Sequence, residues 1–190
     1  EEKICNYLDI PIQHVNDRVL SDMGRGHDRK KLERLLNLFR KKVPDVALRT
    51  TVLTGFPRES EEAFKELMDF LGEFKFERLG VFPYSHEDDT PAHQRFQDDV
   101  PEKVKHRRAE AVMELQQGIS LQLNEAKLGK TFKVLIDRIE DDFYVGRTQY
   151  DSPEVDNEVM IPRDQDLITG EFYQVEITEA AEFDLFGKLV

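Results

Sequence analysis

The sequence predicts an α/β segment followed by a small all-β barrel, and three observations carry that reading. β-rich runs at 4–10, 46–53 and 79–82 are separated by helical stretches, the pattern of βα units with a parallel sheet. From Gly129 onward the helical period disappears, and about five short β-rich runs separated by turn residues fill the remaining ~60 positions, which suggests an OB-like barrel. Charge divides in the same place. Residues 127–190 hold 7 Lys and Arg against 15 Asp and Glu, a net charge of -8, whereas residues 1–126 hold 20 against 24, a net charge of -4. The domains expected are therefore 1–126 and 127–190.

Along the first domain, the strand ending at Ile10 runs into Pro11 and a polar loop. Asp17–Met23 reads as a short helix, and Leu32, Leu35, Leu36 and Phe39 make the i, i+3, i+4, i+7 stripe of a helix that ends near Pro44. After the 46–53 strand, Gly55-Phe56-Pro57 breaks the chain and Ser60 caps a helix whose buried face is Phe64, Leu67, Met68 and Leu71. The third strand leads into a polar stretch, 84–100, expected to be a solvated mobile loop. Pro101 then opens a long helix striped by Val104, Ala111, Val112, Leu115 and Ile119 to about Ala126. Right-handed crossovers put all three strand ends on one face. Three units are too few to close a (β/α)8 barrel, so they read as its second half.

Composition excludes several classes. The 190 residues carry a net charge of -12 and a mean hydropathy of -0.59, with no run of about 18 apolar residues that would cross a membrane. The balance disfavours phosphate-driven nucleic-acid binding and fits a basic partner or simple solubility. Cys5 is the single cysteine, so neither a disulfide nor a thiolate-held metal site can be built from this chain alone. It is expected to be a small buried hydrophobe in a reducing, cytoplasmic setting. The opening Glu1-Glu2-Lys3 reads as a domain edge.

Three polar motifs follow the strands. Gln13 and His14 offer an amide and an imidazole to a polar ligand, and His14 has the chemistry to move a proton near neutral pH; backbone groups would satisfy both equally well. Arg49 can clamp a carboxylate, Gly55 allows close backbone approach, and Glu59 can accept from ribose hydroxyls; a turn glycine and a capping Ser-Glu pair would look the same. Tyr84 precedes His86-Glu87-Asp88-Asp89, where adjacent loop residues are a poor metal cage. No Ser-His-Asp set, phosphate loop or CxxC pair appears, nor the Lys or carboxylate pair of a sugar-phosphate aldolase.

Taken in order, Tyr7-Leu8-Asp9-Ile10-Pro11-Ile12-Gln13-His14, Met23-Gly24-Arg25, Leu48-Arg49-Thr50 leading to Gly55-Phe56-Pro57, Gly80-Val81-Phe82-Pro83-Tyr84-Ser85 and Leu115-Gln116-Gln117-Gly118-Ile119-Ser120 resemble the radical S-adenosylmethionine (SAM) methylthiotransferase family. Gly146-Arg147-Thr148 with Asp151-Ser152-Pro153-Glu154-Val155-Asp156 resembles its TRAM domain. The Tyr84–Ala92 segment and the 151–156 loop are similar to the branch that methylthiolates an aspartate of small-subunit ribosomal protein twelve; the sibling branch modifies adenosine in tRNA.

The resemblance implies the C-terminal half of a radical SAM barrel joined to an OB-like barrel. It also implies SAM and two 4Fe-4S clusters in the whole protein, with the cluster cysteines outside this sequence and the piece inactive alone. It assigns SAM contacts to Gln13, His14, Arg49, Gly55, Glu59 and Tyr84, and partner contacts to Arg147, Asp151, Glu154 and Asp156. Arg25 reads as structural. Arg58 stands where the family usually has glycine. The acidic barrel favours a basic ribosomal protein over tRNA; a tRNA-modifying sibling and a standalone partner-binding module are the alternative readings. Unpaired sheet edges would favour self-association.

Overall fold

The computed structural model describes residues 4–190, which form two compact units, Leu8–Gln116 and a second that joins residues 4–7 to Gln117–Val190. In the first unit β1 (Tyr7–Asp9), β2 (Ala47–Thr54) and β3 (Arg78–Pro83) lie side by side in that order, with β2 and β3 parallel from Arg49 opposite Arg78 to Thr54 opposite Pro83. Gln13 continues the first strand's pairing: its N–H donates to the Thr51 carbonyl and its own carbonyl accepts from Leu53 N–H.

Helices α1 (Asp17–Asp22), α2 (Arg29–Lys42), α3 (Glu61–Phe74), α4 (Pro91–Arg95) and α5 (Glu102–Glu125) connect or follow the strands. Side-chain caps start four of them: Asn16, Asp28, Ser60 and Thr90 each accept from N–H groups of the first turn, which stabilises a helix start by roughly 1 kcal/mol. The apolar stripes converge on one core, where Leu32 and Leu36 from α2, Leu67, Phe70 and Leu71 from α3, and Val112 from α5 meet Leu48 and Val52 of β2. Leu35, placed on the buried stripe by spacing, is instead 42% exposed. Residues 84–100 are not all loop, because Thr90 and Pro91 start the five-residue α4.

The second unit is a closed barrel of β4 (Thr131–Glu140), β5 (Phe143–Arg147), β6 (Glu158–Pro162), β7 (Phe172–Ala180) and β8 (Asp184–Leu189), in the order β4-β5-β6-β8-β7. All ladders are antiparallel except β6 with β8. Closure removes the sheet edges. Val134, Ile136, Val159, Ile161, Val175, Ile177 and Leu185 alternate inward to fill it. Gly146 and Gly187 mark where strands cross closely: a Cβ on Gly146 would lie 2.7 Å from Val134 Cγ1, and one on Gly187 2.8 Å from the Glu176 carbonyl. The division between units falls inside α5, ten residues before the change of sequence pattern, because the last turns of α5 belong with the barrel. Asn124 there donates to the carbonyls of Ala181 and Glu182.

Candidate functional site

The Gly55–Glu59 turn follows directly on β2. Gly55 (φ +75°) and Arg58 (φ +68°) are both left-handed, a conformation that glycine adopts freely and other L-residues resist. Arg58 is held there by Asp99, which accepts its backbone N–H at 2.7 Å, and by its guanidinium lying 3.5 Å from Asp22 and above the Phe96 ring. The expected glycine would relieve this strain.

Glu59 closes the turn from inside. Its carboxylate accepts from the N–H groups of Gly55 and Phe56, and Arg108 of α5 donates to it at 3.2 Å and to its carbonyl at 3.1 Å. Both side chains are essentially buried. Burial pushes the Glu59 carboxyl up to about 7, against the pull of Arg108 and the two amides. Arg108 also bonds Glu61 at 3.0 Å. Lys105, one turn earlier, is buried against Gly55 and pairs with Asp98 and Glu102.

His14 is fully buried. Its Nδ1 accepts from Asn16 N–H at 3.0 Å, and its Nε2 has no hydrogen-bond partner. Burial, helped by Arg108, lowers it to about 4. Burial thus favours the neutral imidazole at physiological pH.

Tyr84 packs edge-on against Phe56, donating or accepting at His86 Nδ1 (2.9 Å). Of the six expected ligand contacts, Gly55 and Glu59 thus build the turn, Tyr84 packs on it through Phe56, and His14 is buried beside Asn16. Gln13 and Arg49 are half-buried. Arg49 does not sit at a strand end: it is the third residue of β2, roughly 16 Å below Thr54 at ~3.3 Å per residue, and it pairs with Asp9 at 2.8 Å. Arg25 donates to the Pro11 carbonyl.

Sequence reasoning missed Arg108 and Lys105. Neither belongs to an apolar stripe, and the available signal was indirect: a buried glutamate requires a cation, and these two lie three residues apart on one helix.

In the barrel, the 148–157 loop follows β5. Thr148 donates to the buried Asp151 at 2.6 Å, while Asp156 accepts from Ser152 N–H at 2.8 Å and from Tyr7 at 2.7 Å. These two carboxylates hold the loop's shape. Arg147 pairs with Asp137, and Glu154 stands exposed at the tip with φ +68°. Cys5 is exposed, contrary to the buried expectation, and lines a recess with Tyr7, Phe132, Lys133 and Phe172. Its apolar neighbours in sequence misled, because the described strand begins only at Tyr7.

Residues 1–71 match the radical SAM superfamily and residues 128–190 match the TRAM domain. The chain carries a radical SAM segment followed by a TRAM domain. It is 51% identical over 189 residues, 99% of its length, to the ribosomal protein uS12 methylthiotransferase RimO of Christiangramia forsetii, and 47% identical over its whole length to that of Parabacteroides distasonis. It spans 42% and 44% of those proteins, less than half of their length. Among solved structures, the radical SAM enzyme coproporphyrinogen III oxidase (HemN) of Escherichia coli superposes with a TM-score of 0.52 at 22% identity, over 60% of this chain and 27% of that one, a likeness of fold alone.

Radical SAM proteins use SAM and iron-sulfur chemistry, and the two groups fit this chain differently. Cysteine thiolates hold such clusters; the sequence has one cysteine, and the described residues contain no group of three His, Cys, Asp or Glu able to hold a metal. The cluster does not fit this chain, and no step is routed through it. For SAM, the residues expected to meet it differ in access: His14, Gly55, Glu59 and Tyr84 are buried, whereas Gln13 and Arg49 are half-buried. Among the described residues, no helix is long and apolar enough to cross a membrane.

The neutral His14 makes a pH signature. Its folded value of about 4 lies below the unfolded 6.5, so unfolded chains take up a proton first as pH falls. Stability from this group is full above pH 6.5 and is lost between 6.5 and 4, by roughly 3 kcal/mol. Urea titrations of the native chain and of His14→Gln should therefore show a stability gap that narrows by about that amount between pH 7 and pH 4. A constant gap would refute a neutral buried imidazole.

Proposed function

We propose that this chain is the portion of a uS12 methylthiotransferase that backs one side of the SAM site and presents the barrel to the substrate. Cluster-bearing residues outside the chain would supply the radical and sulfur chemistry that SAM and two 4Fe-4S clusters support. The observation that carries this reading is near-50% identity to uS12 methylthiotransferases along 99–100% of the chain, through both the Gly55–Glu59 turn and the barrel loop. The relatives' named substrate is a ribosomal protein, and the barrel's net charge of -8 favours a basic protein surface over tRNA phosphate.

Within this reading, Gln13 at the rim and Arg49 on the sheet face would bind and orient the polar end of SAM. His14, Glu59 and Arg108 would keep the turn beneath it fixed without exchanging protons with it. Arg147, Asp151, Glu154 and Asp156 would shape the partner-facing loop, with Glu154 the carboxylate free to engage a cation. The setting would be the cytoplasm, where the substrate is made.

The test is a reconstituted full-length enzyme containing this chain, offered uS12 and tRNA in parallel, with the modified aspartate or adenosine located by mass spectrometry. Methylthio-aspartate in uS12 is expected. Modification of tRNA instead would replace the reading with the sibling activity, and modification of neither would leave the chain a partner-binding module. The chain alone should not cleave SAM.

A further inference from the structure

Helix α2 carries seven Lys and Arg against one Glu, a net charge of +6 in a chain whose net charge is -12. Two of its cations serve the fold: Arg29 pairs with Glu33 at 2.7 Å, and Arg40 pairs with Glu77 at 2.8 Å while lying over the Phe74 ring. The other five are exposed. Lys31 reaches the capping Asp28 only at 4.0 Å, and Lys30, Arg34, Lys41 and Lys42 have no ion pair among the described residues. Helical spacing sorts the exposed residues into two rows. Lys30, Arg34, Asn37 and Lys41 form the first at i, i+4, i+7 and i+11, and Lys31, Leu35, Leu38 and Lys42 form the second at the same spacing. In the second row the leucines, 42% and 47% exposed, stand together between two lysines roughly 16 Å apart along the axis at ~1.5 Å per residue.

The start of this helix also works against its own dipole. A first turn favours carboxylates: α1, α3 and α5 place Asp17, Glu61 with Glu62, and Glu102 there, whereas α2 opens on Arg29-Lys30-Lys31 with no acid. Lys30 and Arg34, four residues apart, add a repulsion between like charges. The dipole accounts for Arg40, Lys41 and Lys42 in the last turn and not for the cations of the first. Charges placed where they cost stability, with no partner inside the fold, point to a surface that binds. The mixture of groups selects the partner. RNA phosphates would use the cations but press a polar backbone onto the leucines. A bilayer would need a broad insertable apolar face, and Leu32, Leu36 and Phe39 of this helix are already committed to the core. An amphipathic helix whose apolar stripe is flanked by carboxylates meets both rows, apolar at the centre and ion-paired at the rim.

We propose that the exposed face of α2 docks an acidic amphipathic helix of a protein partner. Leu35 and Leu38 pack on its apolar stripe, and the five exposed cations pair with the carboxylates beside that stripe. The surface lies wholly within the first unit and is independent of the methylthiotransferase reading, which stands or falls on the modified product.

The test follows the anisotropy of labelled probes on the 190-residue chain. The probes are a helical peptide with a leucine stripe flanked by Glu, the same peptide with Gln for Glu or with Ser for Leu, and an RNA hairpin. Phosphatidylglycerol vesicles are tested by co-sedimentation. The first peptide should bind best and lose affinity with added salt, and each substituted peptide should bind about 5-fold more weakly or worse. Leu35→Ser combined with Leu38→Ser should weaken the first peptide about 10-fold. Lys30→Glu should weaken it about 3- to 10-fold. The same substitution should raise the thermal midpoint by about 1–3 °C, because it relieves the conflict with the dipole and sets a carboxylate four residues before Arg34. A lysine that serves the fold would instead lower the midpoint, and that result overturns the proposal. So does any of four others: no saturable binding of the first peptide below about 1 mM, equal binding of the Gln or Ser peptide, indifference to the leucine and lysine variants, or tighter binding of the hairpin or the vesicles that displaces the peptide.

Discussion

Arg108→Met should destabilise the first unit by about 3–5 kcal/mol at pH 8, because it leaves the Glu59 carboxylate buried without its cation. Glu59 has no route to solvent: it is 4% exposed and already bonded to the Gly55 and Phe56 amides. Its response to pH gives the effect a signature. The folded value of about 7 lies above the unfolded 4.5, so the stability linked to its proton is full below pH 4.5 and is lost as pH rises through 7. Removing Arg108 raises the folded value further. The loss should therefore be largest at pH 8 and smaller at pH 5, where the carboxyl can stay protonated at little cost. The part that persists at pH 5 reports the lost bonds to Glu61 and the Glu59 carbonyl and the stacking over Phe64. Adding Glu59→Gln to Arg108→Met should recover part of the loss at pH 8. Urea denaturation of the native chain, the Arg108→Met and Glu59→Gln single variants and the double variant at the two pH values checks this, and an equal loss at both would show that burial of charge is not its cause.

The fold was largely legible because its elements announce themselves locally. The Phe64, Leu67, Met68 and Leu71 spacing and the Ser60 cap locate α3 at Glu61–Phe74, and alternation from Thr131 onward locates all five barrel strands to within a few residues. What failed was less local. Helix α4 has five residues and no buried side chain, so no periodicity marks it. Helix α5 buries Lys105, Arg108, Gln116, Ser120 and Asn124 beside its apolar stripe, and a hydrophobic pattern is blind to these. Arg108, Gln116 and Asn124 are buried through partners brought close only by folding, as Gln116 donating to the Phe76 carbonyl and Asn124 to the Ala181 carbonyl show.

The candidate site was legible as a location but not as a set of roles. The polar motifs do gather around the strand ends and the Gly55 turn. Whether a side chain faces a ligand or the interior depends on its tertiary partners, so the bonds of Glu59 to the Gly55 and Phe56 amides and the full burial of His14 were not legible from sequence. Arg49 shows a different limit. Counting placed it beside the Gly55 turn, but an extended strand carries those few residues of separation through a long distance.

Gly55→Ala carries the second large effect, and it isolates that turn. An added Cβ would be driven into Lys105 Cγ and would lie 2.9 Å from Lys105 Cβ and 3.2 Å from its Cα, so rotating the lysine's flexible end cannot clear the way. Lys105 is fixed by Asp98 and Glu102 at its ammonium, and its carbonyl accepts from Thr54 at 3.1 Å. The first turn of α5 must therefore move away from the end of β2. Overpacking of this kind costs about 1–3 kcal/mol, and alanine at φ +75° adds about 1–2 kcal/mol. A loss of roughly 2–5 kcal/mol is expected by urea denaturation. Lys105→Ala in the same background removes the obstructing Cγ but keeps the Cβ contact at 2.9 Å, so it should recover only the part of the packing share due to Cγ while leaving the backbone strain. If the double variant is no more stable than Gly55→Ala alone, the close approach of α5 is not what confines this position to glycine.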